Sequence, residues 1–372
     1  MRQLLHRELC WGICALLSFV AMGPLAVPAF AQADTVALVQ PDTPQSPGRD
    51  RSPWMLAPVF NANPKLGASF GAMAGYIYYF DAKSRPTIFA LTGQYTSTQS
   101  ILAGVFARMS FASDHQRVLA GALYGNIKND YDDYLGTGVP LKNNAELFSL
   151  FARYTYRVAG NWFIGGQGIA QNFQIAGETD YDDQILDDLG LVPYKSVGLG
   201  LVVQYDSRNN ENMPTHGWFL NLNNVFFREN LGGEADYDVY RLELRYYIPH
   251  GKRHVIALRQ MNHLTNDAPS AARAPVQLRG YKVGQYSGEF MSSVEAEERY
   301  RFANRWTATL FAGVACLYGG DLDCFDDTNV YPNVGAGIQY ILKPKAGIVM
   351  NLEFAAGKND DYGIYLKMAY AY

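Results

Sequence analysis

Five histidines lie beyond the first thirty residues and are the side chains on which catalysis would depend: His115, His216, His250, His254 and His263. A histidine acts as a general base, or activates a nucleophile, only when its partner lies within hydrogen-bond distance. Four of the five map to predicted turns or strand ends on one side of the molecule, and only His263 lies near the opposite rim. None belongs to a recognisable metal-binding pair. We therefore predict no enzyme activity, no metal ion and no cofactor.

Cysteine offers a second kind of chemistry. Cys10 and Cys14 lie in an N-terminal apolar run, whereas Cys316 and Cys324 flank a segment rich in glycine and aspartate. The spacing of the second pair can bring two Cα atoms within the roughly 4.4–6.8 Å that a disulfide requires. Two sulfur ligands are too few for a structural zinc site. We predict a Cys316–Cys324 disulfide, with two free thiols as the alternative.

A third kind of chemistry is the binding of carboxylates by the quartet Leu278-Arg279-Gly280-Tyr281. The planar guanidinium of Arg279 presents five N–H donors in a fork that matches a carboxylate. Gly280 lets the backbone approach a neighbouring wall closely, because glycine has no Cβ. Tyr281 can pack flat while its hydroxyl group forms a hydrogen bond. The quartet is therefore suited to docking against a charged surface.

A candidate surface of this kind follows in the segment Val294–Phe302. Side chains alternate between the two faces of a strand, so Glu295, Glu297 and Arg299 fall on one face. The tyrosine and phenylalanine at the end of the segment share the other face with Glu298. We expect the face with Glu295 and Glu297 to point inward.

Composition restricts the elements that must position these residues. The chain has 372 residues, 14% of them aromatic and 18% charged, and a formal net charge of −4. The absence of a basic excess excludes a nucleic-acid partner, since phosphate binding requires one. The charged fraction is below the about 25% of a typical soluble domain. Beyond residue 31 no apolar stretch reaches the length of a membrane-spanning helix. This composition is typical of a large all-β protein.

The N-terminus has the features of an export signal. A basic start precedes the apolar run Cys10–Met22, and Ala29-Phe30-Ala31 supplies the small-x-small pattern of a cleavage site. We predict a signal peptide over residues 1–31. Residues 32–53 are rich in proline, serine and aspartate, and are predicted to be a disordered periplasmic lead-in.

From Trp54 to Tyr372 the chain repeats stretches of about 9 to 14 residues in which apolar side chains alternate with polar or small ones. Membrane-spanning strands require this length and this period. In residues 238–247, tyrosine and leucine share one face, whereas arginine and glutamate share the other. An apolar row facing outward and an ionic row facing inward is typical of a barrel in a membrane. We therefore predict a transmembrane β-barrel over residues 54–372.

Counting these stretches predicts sixteen antiparallel strands, the sixth over residues 146–158 and the last over 362–372. Connections that follow even-numbered strands are mostly short. The long ones follow odd-numbered strands and include 129–145, 176–193 and 266–287. Short periplasmic turns and long external loops are expected of an outer-membrane barrel with both termini on the periplasmic side.

The chain ends in two tyrosines on one strand face, Tyr370 and Tyr372. A terminal aromatic residue on the outward face resembles the signal by which outer-membrane barrels are recognised for insertion. The alternative is that both rings belong to an aromatic girdle at the membrane surface.

Three stretches together resemble the bacterial surface-antigen superfamily, the sixteen-stranded barrels of the BamA and TamA outer-membrane assembly proteins. They are Tyr205–Asn223, Gln277–Glu289 and Val294–Leu317. The quartet Leu278–Tyr281 is the most specific match, since it lies between strands 11 and 12, where the family carries an Arg-Gly-aromatic motif. The resemblance implies that this long loop folds into the lumen. It also implies that Arg279 pairs with Glu297 on the wall, with Glu295 as the second partner.

Two departures from the family pattern are visible. Only about twenty residues lie between the predicted cleavage site and the first strand, too few for the periplasmic polypeptide-transport-associated domains of the relatives that insert proteins. In addition, the family often carries an aspartate on strand 13, where Phe311–Leu317 has no carboxylate. We therefore expect a member that lacks these domains and one wall contact.

The resemblance implies a role in outer-membrane biogenesis, as a barrel that inserts or translocates polypeptides. The expected partners are outer-membrane lipid and lipopolysaccharide, the barrel-assembly machinery during its own insertion, and a client polypeptide. One alternative is a porin-like channel for small solutes, since a barrel of sixteen strands can hold an aqueous pore. Another is a structural surface barrel.

Overall fold

The structure is a computed structural model that describes residues 53–63, 67–85, 87–131, 140–189, 191–209, 213–281, 284–343, 348–359 and 361–368. The predicted signal peptide (1–31) and nearly all of the predicted lead-in lie outside these residues. So do Tyr370 and Tyr372.

Within these described residues, sixteen strands form a single antiparallel sheet whose order follows the chain, apart from two short strands that lie outside it. The first eight are β1 (Trp54–Asn63), β2 (Gly67–Tyr78), β3 (Thr87–Thr96), β4 (Ile101–Phe111), β5 (Gln116–Tyr131), β6 (Leu141–Ala159), β7 (Trp162–Gly177) and β8 (Tyr194–Asp206). The other eight are β9 (Gly217–Phe227), β10 (Tyr237–His250), β11 (His254–Asn266), β14 (Phe290–Tyr300), β15 (Trp306–Tyr318), β16 (Val330–Lys343), β17 (Ile348–Ala356) and β18 (Tyr362–Met368). A separate two-stranded hairpin, β12 (Ala274–Pro275) with β13 (Ser287–Gly288), lies in the connection between β11 and β14. The predicted count of sixteen antiparallel strands is confirmed.

The sixth strand is longer than predicted. It begins at Leu141 rather than 146, because β5 continues to Tyr131 and the two strands pair to their ends. The residues added to β6 include Lys142 and two asparagines, which resemble turn residues. Leu141 and Asn143 are nevertheless buried, and Asn143 pairs with Gly177 of β7. Pairing on both sides therefore overrides the local preference of these residues.

The connection after β7, predicted as a loop, contains a helix, α1 (Asp180–Asp188). Thr179 begins it through a reciprocal capping box. The Asp182 N–H donates to Thr179 Oγ1 at 3.2 Å, and the Thr179 N–H donates to Asp182 Oδ2 at 3.1 Å. Leu186 of the helix packs against Leu141 and Leu191. No helix in the described ranges is long and apolar enough to span a membrane.

The two faces of the sheet have opposite polarity, with the charged side chains buried and the apolar ones exposed. On β14, Glu295 and Glu297 are only 4% and 2% exposed, whereas Val294 of the same strand is 45% exposed. Leu310 of β15 and Leu352 of β17 are also exposed. We call the face with Glu295 and Glu297 the inner face and the opposite one the outer face. A sheet of a water-soluble protein would bury its apolar face instead.

The two terminal strands of the sheet, β1 and β18, lie side by side. Within the described residues, no ladder of backbone hydrogen bonds joins them. The β1 strand contains Pro58, which has no N–H to donate, and β18 has only seven described residues. Closure of the sheet into a barrel therefore stays a prediction.

An ionic cluster joins several strands at the end of the sheet that carries the short turns. The carboxylate of Asp114, in the turn after β4, accepts hydrogen bonds from Arg117 Nε at 2.9 Å and Arg117 Nη2 at 2.7 Å. Arg157 of β6 also donates to it, and Arg85 Nε lies 3.5 Å away. Burial raises the pKa of the Asp114 carboxyl, but the hydrogen bonds and charge of Arg117 outweigh burial and hold this pKa below its ordinary value of 3.8.

We predict that Asp114→Asn lowers the free energy of unfolding by roughly 3 kcal/mol at neutral pH, because it leaves guanidinium groups without their carboxylate. A lowered pKa stabilises the fold at pH values above 3.8, and this contribution disappears as pH falls through the folded-state pKa. The difference between wild type and variant should therefore shrink in acid. Urea unfolding in detergent micelles, followed by tryptophan fluorescence across pH, measures it. Asp188→Asn, in an exposed part of α1, is the control, and a difference that is constant with pH would contradict the prediction.

A candidate site where the long loop meets the inner face

The connection between β11 and β14 folds over the inner face and is held in a defined shape by its own hairpin. Ala274 pairs with Gly288, and Pro275 pairs with Ser287. The Val276 N–H then donates to the Tyr286 carbonyl at 2.9 Å. These contacts close the base of the loop, so its tip emerges as a compact projection that contains the quartet Leu278–Tyr281. We call residues 276–286 the inner loop.

The inner loop is fixed to the sheet by apolar packing. Leu278 is 8% exposed and Tyr281 is 2% exposed, and both belong to one buried cluster. Its other buried members are Ala274, Val276, Tyr286, Met291, Ala315, Leu317 and Tyr331. Fully burying one such side chain contributes about 1.5–3 kcal/mol. This packing places the quartet against β14, β15 and β16 before any charge is considered.

Arg279 projects from the inner loop onto the wall and meets three carboxylates. Its Nη2 donates to Glu295 Oε1 at 2.7 Å, and its Nη1 donates to Glu297 Oε2 at 2.8 Å. Glu353 Oε2 of β17 lies 3.3 Å from the same Nη1. The structure thus brings together Arg279, Glu297 and Glu295, the residues that the sequence analysis expects to meet. All three carboxylate side chains are nearly inaccessible to solvent.

Glu353 is the partner that the sequence analysis did not assign. The thirteenth strand of the sheet, β15, has no carboxylate, although the resemblance suggested an aspartate on this strand. Phe311 of β15 instead lies under the guanidinium, with its ring centroid 3.3 Å from Arg279 Cζ, which is a cation–π contact. The third negative charge comes from β17. One feature of the sequence could have identified Glu353. Apolar and polar side chains alternate along its strand, and this alternation places Glu353 on the ionic face.

Two further contacts join the same group. Arg299 Nε donates to Glu297 Oε1 at 2.7 Å, so Glu297 is shared by two guanidinium groups. Asn333 Nδ2 of β16 donates to the Arg279 carbonyl at 3.0 Å and to Glu295 Oε2 at 2.9 Å. Glu295 and Glu297 therefore each have a second polar partner besides Arg279, which restricts the geometry of the Arg279 contact.

Gly280 lets the loop backbone reach the last strands. Its φ of +101° lies in the left-handed region that side chains disfavour. A Cβ at this position would lie 3.2 Å from backbone atoms of Ala356 and Gly357. The Gly280 N–H donates to the Tyr365 hydroxyl at 2.7 Å, which ties the loop to β18. Any larger residue here would strain the backbone and push the loop away from β17.

Tyr281 completes the attachment. Its hydroxyl donates to the Pro332 carbonyl of β16 and accepts from the Lys358 N–H at 3.0 Å. Its ring lies against Gly357, where a Cβ would be 2.6 Å from the ring. The quartet therefore contacts β14, β15, β16, β17, β18 and the turn between the last two.

Cys316 and Cys324 are joined by a disulfide with a Cα–Cα distance of 5.5 Å. The bond closes the hairpin between β15 and β16, where Gly319 and Leu322 form an isolated bridge. Leu322 packs against the buried cluster under the inner loop. The disulfide therefore lies at the end of the sheet that carries the long loops, close to the base of the site.

A formal hydrolase motif in the N-terminal half does not form a nucleophile site. The segment Gly67-Ala68-Ser69-Phe70-Gly71 fits the Gly-x-Ser-x-Gly pattern, but it lies inside β2 and not at a turn between a strand and a helix. Ser69 Oγ donates to Gln94 Oε1 at 3.2 Å. Among the histidines, His263 is buried on the inner face, whereas His250 and His254 lie together on the outer face with Glu298. The sequence analysis missed this last grouping because it depends on strand register.

A sixteen-stranded antiparallel sheet with an exposed apolar face, a charged inner face and an inserted loop defines the class of outer-membrane β-barrel proteins. The Omp85 superfamily domain matches residues 122–321, more than half of the chain. The protein therefore belongs to the Omp85 superfamily, whose β-barrels are outer-membrane proteins. The resemblance inferred from the sequence is confirmed at this level.

Solved structures share the fold at low sequence identity. BamA from Haemophilus ducreyi lacking POTRA domains 1-3 is 14% identical, with a TM-score of 0.59 over 90% of this chain and 75% of that chain. CdiB from Acinetobacter baumannii is 11% identical, with a TM-score of 0.61 over 90% of this chain and 66% of that one. CdiB from Escherichia coli is 11% identical, with a TM-score of 0.61 over 92% and 69%. No curated protein sequence matches.

We predict that Arg279→Ala lowers the free energy of unfolding by roughly 3–5 kcal/mol, because it leaves buried carboxylates without their guanidinium partner. Denaturant unfolding in detergent micelles measures the loss. Arg273→Ala is the matched control, since Arg273 is an exposed arginine of the same connection. Equal stability of the two variants would show that the Arg279 contact does not stabilise the fold.

We predict that replacing both Cys316 and Cys324 by serine lowers the free energy of unfolding by about 2 kcal/mol, since the bond closes a short loop. Thermal unfolding of the oxidised wild type, the reduced wild type and the double variant measures it. The reduced wild type should match the double variant. Alkylation of both thiols in untreated protein would contradict the disulfide.

Proposed function

We propose that this protein spans the outer membrane as a closed barrel and inserts or translocates polypeptides there. The outer face supports the membrane assignment through aromatic residues near both strand ends. Phe290 and Tyr300 share the outer face of β14, about 33 Å apart along the strand at about 3.3 Å per residue. At a tilt of about 40° this corresponds to about 25 Å along the membrane normal, the height of the apolar band of such barrels.

Further aromatic pairs support two girdles. Near the short turns, Trp218 stacks on Tyr246 with ring centroids 3.7 Å apart, and Trp306 lies 4.6 Å from Tyr340. Toward the long loops, Phe290 lies 5.3 Å from Tyr318. Tryptophan and tyrosine are enriched at membrane surfaces because one end of the ring is apolar and the other polar.

The attachment of the inner loop to five consecutive strands is the observation that carries the functional proposal. A loop held by Arg279 through three wall carboxylates, and by Gly280 and Tyr281 through the last strands, occupies the interior beside β14–β18. An open diffusion pore would need this volume free. A loop attached in this way supports a protein that acts on polypeptides over a channel for small solutes.

The junction of β1 and β18 is where we propose that the protein acts. An edge strand with unpaired backbone groups can template another strand. Pro58 weakens the donor row of β1, and the inner loop holds β18 through Tyr365. In this mechanism the loop keeps the last strands in place while a client strand pairs at the junction.

The remaining assignments belong to the same proposal. The chain is exported by a signal peptide over residues 1–31, which is cleaved, and the mature protein contacts outer-membrane lipid and lipopolysaccharide. It is inserted by the barrel-assembly machinery, which reads the terminal Tyr370 and Tyr372. Its substrate is an unfolded or partly folded polypeptide client.

A channel for small anions is the second candidate, because arginines line the inner face. Arg245 Nη2 and Arg259 Nε lie 2.7 and 2.9 Å from Glu243 Oε1, however. Because both arginines are paired with Glu243, they attract an anion less strongly than free guanidinium groups would. This pairing supports the first candidate over the second.

We predict that the refolded protein is electrically silent in a planar bilayer and that Arg279→Ala produces conductance, since releasing the inner loop opens the interior. Single-channel recording measures this, with Arg273→Ala as the control. In parallel, liposomes that contain the wild type should accelerate insertion of an unfolded outer-membrane barrel over empty liposomes.

The two assays separate the candidates. A stable, ion-selective wild-type conductance that Arg279→Ala leaves unchanged would support the channel and contradict a closing loop. A wild type that shows no conductance and does not accelerate insertion would contradict the proposed role in insertion. That result would instead support a structural surface barrel.

A further inference from the structure

Two histidines and a glutamate converge on the outer face at the end of the sheet that carries the short turns. His250 ends β10 and His254 begins β11, and the tight turn between them makes the two residues direct cross-strand partners. Glu298 of β14 pairs with Ile256 of β11, two residues further along the strand. Strand alternation therefore puts all three side chains on one face. The inner-face residue next to Glu298 is Glu297, so the two neighbours point in opposite directions.

The three side chains are close enough to share one ligand. His250 Nε2 lies 2.8 Å from Glu298 Oε2, and His254 Nδ1 lies 2.8 Å from Glu298 Oε1. One nitrogen from each histidine and one carboxylate oxygen all lie within 4.8 Å of one another. The His254 ring stacks on Tyr300 with centroids 4.6 Å apart, which fixes its orientation.

The donor set matches a transition-metal ion rather than calcium or magnesium. Imidazole nitrogen suits zinc, copper and nickel, whereas calcium and magnesium are held by oxygen ligands. Zinc binds histidine nitrogen at about 2.0–2.1 Å and carboxylate oxygen at about 2.0–2.2 Å. Atoms within 4.8 Å of one another can reach these distances by small side-chain rotations. The side chains of His250, His254 and Glu298 are 46%, 40% and 34% exposed, so an ion can enter from the periplasmic side.

We propose that His250, His254 and Glu298 form a binding site for Zn²⁺ on the outer face. Three protein ligands leave a fourth position of a tetrahedral ion open for water or an external carboxylate or phosphate. The bound ion would link β10, β11 and β14 beside the aromatic residues of this rim. The site does not depend on a role in polypeptide insertion.

The alternative for the same geometry is an ion pair in which protonated histidines share the carboxylate of Glu298. Metal binding requires neutral imidazole and displaces protons, so the test is done above the ordinary histidine pKa of about 6.5. The protein is refolded in detergent without an affinity tag, and Zn²⁺ is titrated in a calorimeter. The variants are His254→Gln and Glu298→Gln. His216→Gln is the matched control, because His216 is an exposed histidine in another turn of the same rim.

We expect one Zn²⁺ per chain in the wild type and in His216→Gln. Each ligand variant should bind at least about 10-fold more weakly, since even a residue that only supports a metal ligand contributes about 10- to 100-fold. Zn²⁺ should also raise the thermal unfolding midpoint of the wild type, but not that of Glu298→Gln, because a ligand stabilises the state that binds it. This second measurement is made only on variants whose circular dichroism matches the wild type.

Equal affinity in all four proteins would place the bound zinc elsewhere and overturn the proposal. An absence of zinc binding in the wild type would leave the ion pair as the sole interaction and would also overturn it. Neither result bears on the insertion assay, because no step of that assay involves these residues.

Discussion

The contact between Arg279 and three carboxylates of the wall is the constraint on which the interior of this protein depends. A buried guanidinium is stable only when charged partners offset its lost hydration. Glu295, Glu297 and Glu353 in turn repel one another unless a cation lies between them. The loop and the wall therefore stabilise each other. Apolar packing around Leu278 brings the arginine into reach, and the fork geometry of its donors then selects one position of the loop.

The contacts of the inner loop stabilise the last strands of the sheet. The sheet ends at β18, a strand that has a paired neighbour on one side only among the described residues. Gly280 and Tyr281 reach across β15 and β16 to this region and hold Tyr365 and the turn before it. The inner loop thus joins the middle of the chain to its last strands. A single element therefore covers part of the inner face and also holds the last strand of the sheet.

Much of the architecture could be predicted because strand alternation is a local property. Each strand presents its side chains to two faces in turn, so the polarity of the faces is visible in any short stretch of sequence. The start of β6 and the helix α1 were missed for a different reason. Asparagine, lysine and aspartate favour turns and solvated loops, and only pairing with β5 and β7, or burial of Leu186, selects strand and helix there.

The sequence by itself determined the number of strands, the inward direction of Glu295, Glu297 and Arg299, and the loop that carries Arg279. These depend on a period of two residues and on the conformational freedom of glycine, which are properties of the local chain. Only the tertiary structure decided that Glu353 joins Glu295 and Glu297, that the Phe311 ring lies under the Arg279 guanidinium, and that Glu298 meets two histidines. Such contacts join residues far apart in the chain, and they follow from the register and curvature of the whole sheet.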